Sequence, residues 1–214
     1  MSALPGWLEP LYDAREMRAV DAWAIERRAV PPLELMERAG AGLARCVARV
    51  ARPGAVRVVL GKGNNGGDGL VVARLLREEG REVDVLAAVA LGELRGDAEA
   101  NLRALPGQAP RPLHPGALDG SGVVVDALLG TGFTGAPREP AAGAIAAINA
   151  CGATVVACDV PSGVDASTGE VAGEAVRADL TATFHGPKVG LHVAPGAIHA
   201  GAVEQVDIGV PRRG

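Results

Sequence analysis

The sequence predicts an α/β fold in three layers, with a mostly parallel sheet between two layers of helices. Short apolar segments alternate with segments of helical periodicity from residue 56 onward. The apolar segments show no inside–outside alternation, which is typical of strands buried on both faces. Loops rich in glycine and proline separate them, as in domains built from successive strand–helix units.

Two helices are expected before the alternation begins, at 13–29 and 33–51, because apolar residues recur there at helical spacing. Asp13 is the candidate N-cap of the first helix. Strands are predicted at 56–60, 82–88, 122–126, 153–158, 180–184 and 203–208, and helices at 67–79, 93–104 and 138–150. The remaining long segments, 105–120 and 160–178, are predicted loops, the first with a short strand near Leu113 and the second with one helical turn.

These elements predict one domain over residues 1–214, a three-layer α/β/α Rossmann-like sandwich with an N-terminal helical extension. Apolar residues make up 48% of the chain and aromatic residues only 2%, so the core must be built from aliphatic side chains. Three cysteines, Cys46, Cys151 and Cys158, lack metal-site spacing and are interpreted as buried apolar residues.

Composition also limits the classes of partner. The scarcity of aromatic residues disfavours base stacking, and the net charge of −4 disfavours binding to nucleic acid or to an anionic membrane. No apolar run approaches the roughly 20 residues of a membrane-spanning helix, and the start of the chain has no secretory leader pattern. We therefore expect a soluble, cytoplasmic protein with no nucleic-acid and no membrane partner.

The most distinctive segment is GKGNNGGDG at 61–69, between an apolar strand and a helix. Glycines that turn from a strand into a helix N-terminus are typical of phosphate-binding loops. The segment contains a G-x-G-x-x-G match, but the acid expected for ribose binding, Asp84, lies inside a predicted strand instead of at its end. Its lysine, Lys62, is also not at the position that a Walker A loop requires. The two amides and the carboxylate indicate a further role.

Polar residues follow four predicted strands, where ligands bind in open parallel sheets. They include Asp126, Asp159 and Lys188, besides the 61–69 loop, and a second glycine turn, GTGFTG, occupies 130–135. A carboxylate at the end of a buried strand is costly unless it is paired or ligated. The alternative, that these aspartates only cap the next segment, does not explain why four such ends occur together.

Four motifs, in order, resemble those of the NAD(P)H-hydrate epimerases, the YjeF N-terminal domain family. They are GKGNNGGDG at 61–69, DALLGTGFTG at 126–135, DVPSGVDASTG at 159–169 and TFHGPKVGL at 183–191. The segments MRAVD at 17–21 and LMERAG at 35–40 are similar to the family's N-terminal helices. The resemblance implies an enzyme that interconverts the R and S forms of hydrated NADH or NADPH (NADHX or NADPHX) at C6 of the nicotinamide ring.

The resemblance also implies a set of site residues. Substrate contacts fall on two segments and one aspartate: Asn64, Asn65, Gly66, Gly67 and Asp68; Gly130, Thr131, Gly132, Phe133, Thr134, Gly135 and Ala136; and Asp159. One potassium ion per subunit is expected on Asn65, Asp126 and Ser162, whose oxygen ligands suit a hard cation. The partners implied are an ADP- or ATP-dependent dehydratase specific for the S form and a second copy of the chain in a homodimer.

Inversion at C6 proceeds most simply by loss of the hydroxyl, formation of a planar iminium and addition of water to the other face. That chemistry needs an acid–base group and a negative charge near the iminium. Asp159 is the candidate for both, and Lys188 would hydrogen-bond the carboxamide or tune Asp159.

Two alternatives stay open: a nucleotide-dependent oxidoreductase, and a non-catalytic nucleotide-binding or scaffold module of the same fold. Whether the chain stands alone or is part of a bifunctional protein is also open.

Overall fold

The computed structural model describes residues 9–50 and 53–210. Its centre is a seven-stranded sheet in which every neighbouring pair is parallel. The strands are β1 (Val56–Leu60), β2 (Val83–Ala87), β3 (Arg111–Pro112), β4 (Val123–Ala127), β5 (Thr154–Cys158), β6 (Leu180–Phe184) and β7 (Ala202–Val206). The predicted parallel sheet is confirmed, and the predicted strands differ from the observed ones by one or two residues at their ends.

Six α-helices connect or flank the strands in the described part of the chain. They are α1 (Ala14–Arg28), α2 (Pro32–Val50), α3 (Asn64–Glu78), α4 (Gly96–Ala104), α5 (Ala141–Ala150) and α6 (Gly196–His199). The start of α1 is set by a capping box, because Asp13 and Glu16 each accept the other's backbone N–H. The predicted end of the second helix, residue 51, lies outside the described residues.

Three predicted helix starts were wrong, each by three residues. Helix α5 begins at Ala141 instead of 138, with Pro140 as its N-cap. Helix α3 begins at Asn64, not at 67, because Gly63 is its N-cap and three glycines in its first turns conceal the helical pattern. Most of the predicted glycine loop is therefore helix. Helix α4 begins at Gly96 instead of 93, because a short 3₁₀ turn, Leu91–Glu93, precedes it.

The sheet has a separate core on each face, which gives the three layers. Helices α2, α3 and α4 contribute to one core, with Leu43, Leu70 and Leu94 among its fully buried side chains. On the opposite face α5 packs with Ile145 and Ile148 against alternate strand residues. Helix α2 contacts α3 and strands β5 to β7, so the predicted N-terminal extension is part of a layer rather than an appendage.

The strand order is β3-β2-β1-β4-β5-β6-β7. The chain moves outward from β1 to β3, then returns to place β4 on the other side of β1, so β1 and β4 flank the point where the order reverses. In open α/β sheets the crevice beyond the carboxyl ends of such strands is the usual ligand site. The 61–69 segment follows β1 and the 130–135 turn follows β4, so the topology brings them to one place.

Two of the three cysteine predictions are confirmed, since Cys46 and Cys158 are buried; Cys151 is only half-buried. All three are free thiols. Asp84 lies within β2 and pairs with Arg57 and Arg111, so it is engaged within the sheet rather than held at a strand end for a ribose. Within residues 9–50 and 53–210 no helix has the length and apolar character needed to cross a membrane.

Candidate active site

A cavity of about 1120 Å³ opens beyond the carboxyl ends of β1, β4, β5 and β6. That volume is slightly above the usual range for small-molecule sites, about 300–1,000 Å³, and it accommodates a ligand of dinucleotide size. Residues from all four predicted segments line it: Asn64, Asn65, Asp68, Gly130, Thr131, Gly132, Phe133, Thr134, Gly135, Ala136, Asp159 and Lys188. The convergence predicted from the sequence is therefore present in the fold.

A buried ion pair joins Asp159 and Lys188 at the base of this cavity. Lys188 is 1% exposed, and its Nζ donates to Asp159 Oδ1 at 2.6 Å and to the Phe184 carbonyl at 2.7 Å. The hydroxyl of Thr131 donates to Asp159 Oδ2 at 2.5 Å. Asp159 itself adopts a left-handed backbone conformation, with φ of 67°. Such a conformation is uncommon for a non-glycine residue and is often found at functional sites.

The ion pair decides the charge of Asp159. Burial alone raises the pKa of Asp159, but the Lys188 charge and the hydrogen bonds from Lys188, Thr131 and the Phe184 amide outweigh it, leaving the pKa below its ordinary value. Asp159 is therefore a carboxylate at neutral pH. This state suits a base or a negative charge beside a cation, and it does not suit a proton donor.

Two other aspartates on the cavity behave in the opposite way. Burial first, and then the charges of Asp159 and Asp21, raise the pKa of Asp68 well above its ordinary value. Burial and the charge of Asp159 also raise the pKa of Asp21, which comes from α1. The cavity thus holds carboxyl groups whose environments separate their pKa values, a pattern found in acid–base catalysis.

Asp126 lies beneath the cavity and is completely buried in β4. Its carboxylate accepts hydrogen bonds from the Ser162 hydroxyl at 2.6 Å, from the Ser162 amide at 2.8 Å and from the Leu128 amide at 3.3 Å. Burial raises the pKa of Asp126 to about 6, although these hydrogen bonds oppose the rise. The bonds tie the turn after β4 to the turn after β5.

Asn65 lies beside the same turn. Its Nδ2 donates to the Leu129 carbonyl at 2.9 Å, which fixes the amide and leaves Oδ1 as an acceptor. A Cβ added at Gly130 would lie 3.2 Å from the Asn65 side chain. The predicted metal ligands are thus grouped around one short turn: Asn65, Asp126 and Ser162. Of these three, only Asn65 lines the cavity.

The glycines of the 61–69 segment have two different roles. A Cβ at Gly61 would lie 1.9 Å from the Leu128 carbonyl oxygen, and one at Gly66 would lie 2.2 Å from the Gly61 carbonyl oxygen. Both are therefore needed for close backbone packing. Gly63 has open space on its Cβ side, so it leaves the cavity mouth free. Gly66 and Gly67, predicted as substrate contacts, are buried and lie outside the cavity lining.

Sequence reasoning missed the wall that α1 and α2 form. Met17, Asp21, Leu35 and Met36 line the cavity along with the predicted strand ends. Met17 and Asp21 are four residues apart and lie on one helix face. This alignment of a carboxylate with a buried methionine was the sequence signal from which the wall could have been predicted. His185, which follows β6, is buried against the Tyr12 ring at 5.8 Å between centroids and is outside the lining.

The fold and the site define a class: a Rossmann-like α/β protein with two glycine turns and a buried acid–base group at the switch point of its sheet. A model of the family described as YjeF-related protein N-terminus matches residues 32–190. The chain belongs to that family. The resemblance seen in the sequence motifs is thereby confirmed.

Curated relatives of two lengths match the chain. An NAD(P)H-hydrate epimerase of Rhodopirellula baltica is 38% identical, with 99% of this chain and 94% of that protein covered. One of Pirellula staleyi is 40% identical over 96% and 95%. A bifunctional NAD(P)H-hydrate repair enzyme of Salinibacter ruber is 44% identical over 94% of this chain, which spans only 41% of that relative's length.

A solved structure supports the fold independently. The crystal structure of the yeast protein YNL200c superposes with a TM-score of 0.72, covering 92% of this chain and 87% of that one, at 23% sequence identity. At that identity the likeness speaks for the fold alone. It is consistent with a three-layer α/β/α sandwich around a parallel sheet.

Proposed function

We propose that this protein is an NAD(P)H-hydrate epimerase, an isomerase that interconverts the R and S forms of NADHX or NADPHX at C6. One observation carries the proposal: the Asp159 carboxylate, buried and paired with Lys188, faces a dinucleotide-sized cavity. It does so in a chain that aligns along nearly its whole length with relatives named as epimerases. A scaffold module has no need of a buried ion pair aimed into a cavity.

The substrate's pyrophosphate is assigned to the mouth of the cavity. The first N–H groups of α3 have no partner within the helix and lie at its positive dipole end, which favours a phosphate. Three exposed cations, Arg18, Lys62 and Arg138, also line the cavity. In this assignment the 130–135 turn takes the ribose or the second phosphate, and the nicotinamide ring extends inward to Asp159.

The chemistry follows from what Asp159 can do as a carboxylate. When the C6 hydroxyl leaves, the ring becomes a planar iminium with a positive charge, and a fixed negative charge in a partly dry site stabilises it. The same carboxylate accepts a proton from the water that adds to the other face of C6. Lys188 keeps Asp159 ionised and positioned, and Thr131 holds its second oxygen.

Potassium binding at Asn65, Asp126 and Ser162 is also proposed. Asp126 is fully buried, and none of the ion pairs of the described residues involves it. A buried carboxylate without a counter-charge, flanked by an amide oxygen and a hydroxyl, fits a hard cation with oxygen ligands. Residues 9–50 and 53–210 contain no group of three or more His, Cys, Asp or Glu side chains that would hold a transition metal. A bound cation would neutralise Asp126 and order the turns after β4 and β5.

The potassium proposal has its own readout. We expect the melting temperature to be higher in potassium chloride than in choline chloride at equal ionic strength, because ligands that bind the folded state stabilise it. Ser162→Ala should remove most of this difference. Equal melting temperatures of the wild-type protein in the two salts would contradict the site. A homodimer, proposed from the family resemblance, is testable by sedimentation equilibrium.

The epimerase proposal is tested by coupling the protein to its proposed partner, a dehydratase that uses ATP or ADP and accepts the S hydrate. Alone, the dehydratase should restore reduced-nicotinamide absorbance only until the S form is consumed. Adding this protein should carry the reaction to completion. A reaction that still stops at the S fraction would refute the proposed function.

A further inference from the structure

Asp68 differs from Asp159 in how its carboxyl group is held. It lies on the first turns of α3, is 8% exposed and lines the cavity. In residues 9–50 and 53–210 no N–H group and no basic side chain lies within hydrogen-bond distance of its oxygens, and the one hydrogen-bond contact of its side chain is with the Cys158 thiol, 4.0 Å from Oδ2. Asp159, by contrast, accepts from Lys188, Thr131 and the Phe184 amide.

The charges that face Asp68 are mostly negative. Asp21 approaches from α1 and Asp159 from the end of β5. Among the described residues, Lys188, from the turn after β6, is the one cation that acts on Asp68. Lys188 is already 2.6 Å from Asp159. An ionised Asp68 would thus be a nearly buried carboxylate without a partner, beside other carboxylates. Burial and these neighbours raise its pKa, so Asp68 keeps its proton at a pH where Asp159 has lost its own.

We propose that Asp68 is the general acid of this site, which protonates the C6 hydroxyl so that it leaves as water. The inference rests on the proposed epimerase function and divides the acid–base work that one residue, Asp159, was expected to do. Asp159 is unsuited to the acid half, since one of its oxygens accepts a hydrogen bond from the buried Lys188 and the other from the half-buried Thr131. Asp68 has a proton to give and no competing partner for it.

The proposed step balances without any further reactant. The C6–O bond breaks with its electron pair on oxygen, the Asp68 proton joins that oxygen, and water leaves. The lone pair of the ring nitrogen forms the N1=C6 iminium. A water molecule then adds to the opposite face of C6, and its proton passes to Asp159. This leaves Asp68 ionised and Asp159 protonated. Because the pKa of Asp68 is raised and that of Asp159 is lowered, Asp159 then releases its proton to solvent water and Asp68 takes one up, which restores the starting form.

The test separates a proton donor from a mere substrate contact by comparing kcat with KM. General acid catalysis contributes about 10²- to 10⁴-fold, so Asp68→Asn should lower kcat by about 100-fold or more while KM changes only a few-fold. In the wild-type protein kcat should fall as the pH rises through the Asp68 pKa. Asp68→Glu should retain this alkaline limb, and added formate should restore part of the activity of Asp68→Ala.

Controls and contrary outcomes are defined in the same assay. Asp119→Asn, the same change on an exposed residue outside the cavity, should match the wild type, and thermal melts establish that each variant is folded. Retained kcat in Asp68→Asn, or a rise in KM alone, would overturn the acid role. So would a loss of kcat with no formate rescue in Asp68→Ala. If the wild-type protein does not interconvert the hydrates, the proposed function fails instead.

Discussion

At the scale of single residues, the site depends on how two aspartates are surrounded. The Asp159 carboxylate accepts hydrogen bonds from a buried cation and from three further donors, whereas Asp68 has one contact, with a thiol. The family resemblance of the sequence implied that both contact the substrate. It could not predict their opposite pKa shifts, because these depend on Asp21 and Lys188, which reach the site from distant parts of the chain.

These opposite shifts predict opposite effects on the pH dependence of stability. The Asp68 pKa is raised on folding, so its contribution to stability is present below about pH 3.8 and is lost as the pH rises through the folded pKa. The Asp159 pKa is lowered, so its contribution is present above about pH 3.8 and is lost as the pH falls through the folded pKa.

Urea unfolding of Asp68→Asn and Asp159→Asn across pH 2–8 measures both effects. Relative to Asp68→Asn, the wild type should lose stability as the pH rises, by at most about 1.4 kcal/mol per pH unit for one proton. Relative to Asp159→Asn, it should lose stability as the pH falls below about 3.8. If the stability of the wild type relative to each of the two variants changed in the same direction with pH, the charge assignment would be contradicted.

The Asp159–Lys188 pair predicts a large coupling energy. Lys188→Met should destabilise the protein by about 3–5 kcal/mol, because it leaves Asp159 as a buried charge without its partner. The double variant, Asp159→Asn with Lys188→Met, should lose less stability than the sum of the losses in the two single variants. A double-mutant cycle by urea unfolding measures this difference. Additive costs would indicate that the two groups do not interact.

At the scale of secondary-structure elements, α2 packs closely because of two small residues. A Cβ at Gly40 would lie 2.4 Å from Val71 Cγ1 on α3, and one at Gly42 would lie 2.0 Å from Val206 Cγ1 on β7. These glycines let α2 lie against both the helix layer and the sheet edge. Since α2 also supplies Leu35 and Met36 to the cavity, its position affects the shape of the site.

Gly40→Ala is therefore expected to destabilise the protein. The added methyl group forces a shift costing about 1–3 kcal/mol, of which the higher helix propensity of alanine offsets at most about 1 kcal/mol. Gly143→Ala in α5 is the matched control, because its Cβ would meet only the flexible Glu139 side chain, and it should be neutral or stabilising. Urea midpoints measure both variants, and equal effects would contradict the packing role of Gly40.

Elements were predictable where burial made the pattern simple. Strands β1, β4 and β6 are short segments in which nearly every residue is buried, and their positions followed from the sequence to within one or two residues. The start of α3 did not follow, because Gly66, Gly67 and Gly69 disfavour a helix locally and are tolerated only through tertiary packing. The short strand β3, two exposed residues at the sheet edge, had almost no apolar signal.

At the scale of the whole molecule, function depends on the order of strands. The reversal between β1 and β4 brings the 61–69 and 130–135 segments together, and β5 and β6 add Asp159 and Lys188 beside them. Local sequence specified each strand end but not its neighbours in the sheet. The general rule for parallel sheets predicted that these ends converge; the wall formed by α1 and α2 had no comparable rule.

The central claim is that this protein interconverts the two hydrates, and chromatography of the hydrates measures that directly. Starting from hydrate depleted of the S form, the wild-type protein should restore the equilibrium ratio of R to S far faster than buffer alone, and Asp159→Asn should be slower by about 100-fold or more. A ratio that drifts at the buffer rate with folded wild-type protein in potassium chloride would contradict the account, and full activity in Asp159→Asn would contradict its mechanism.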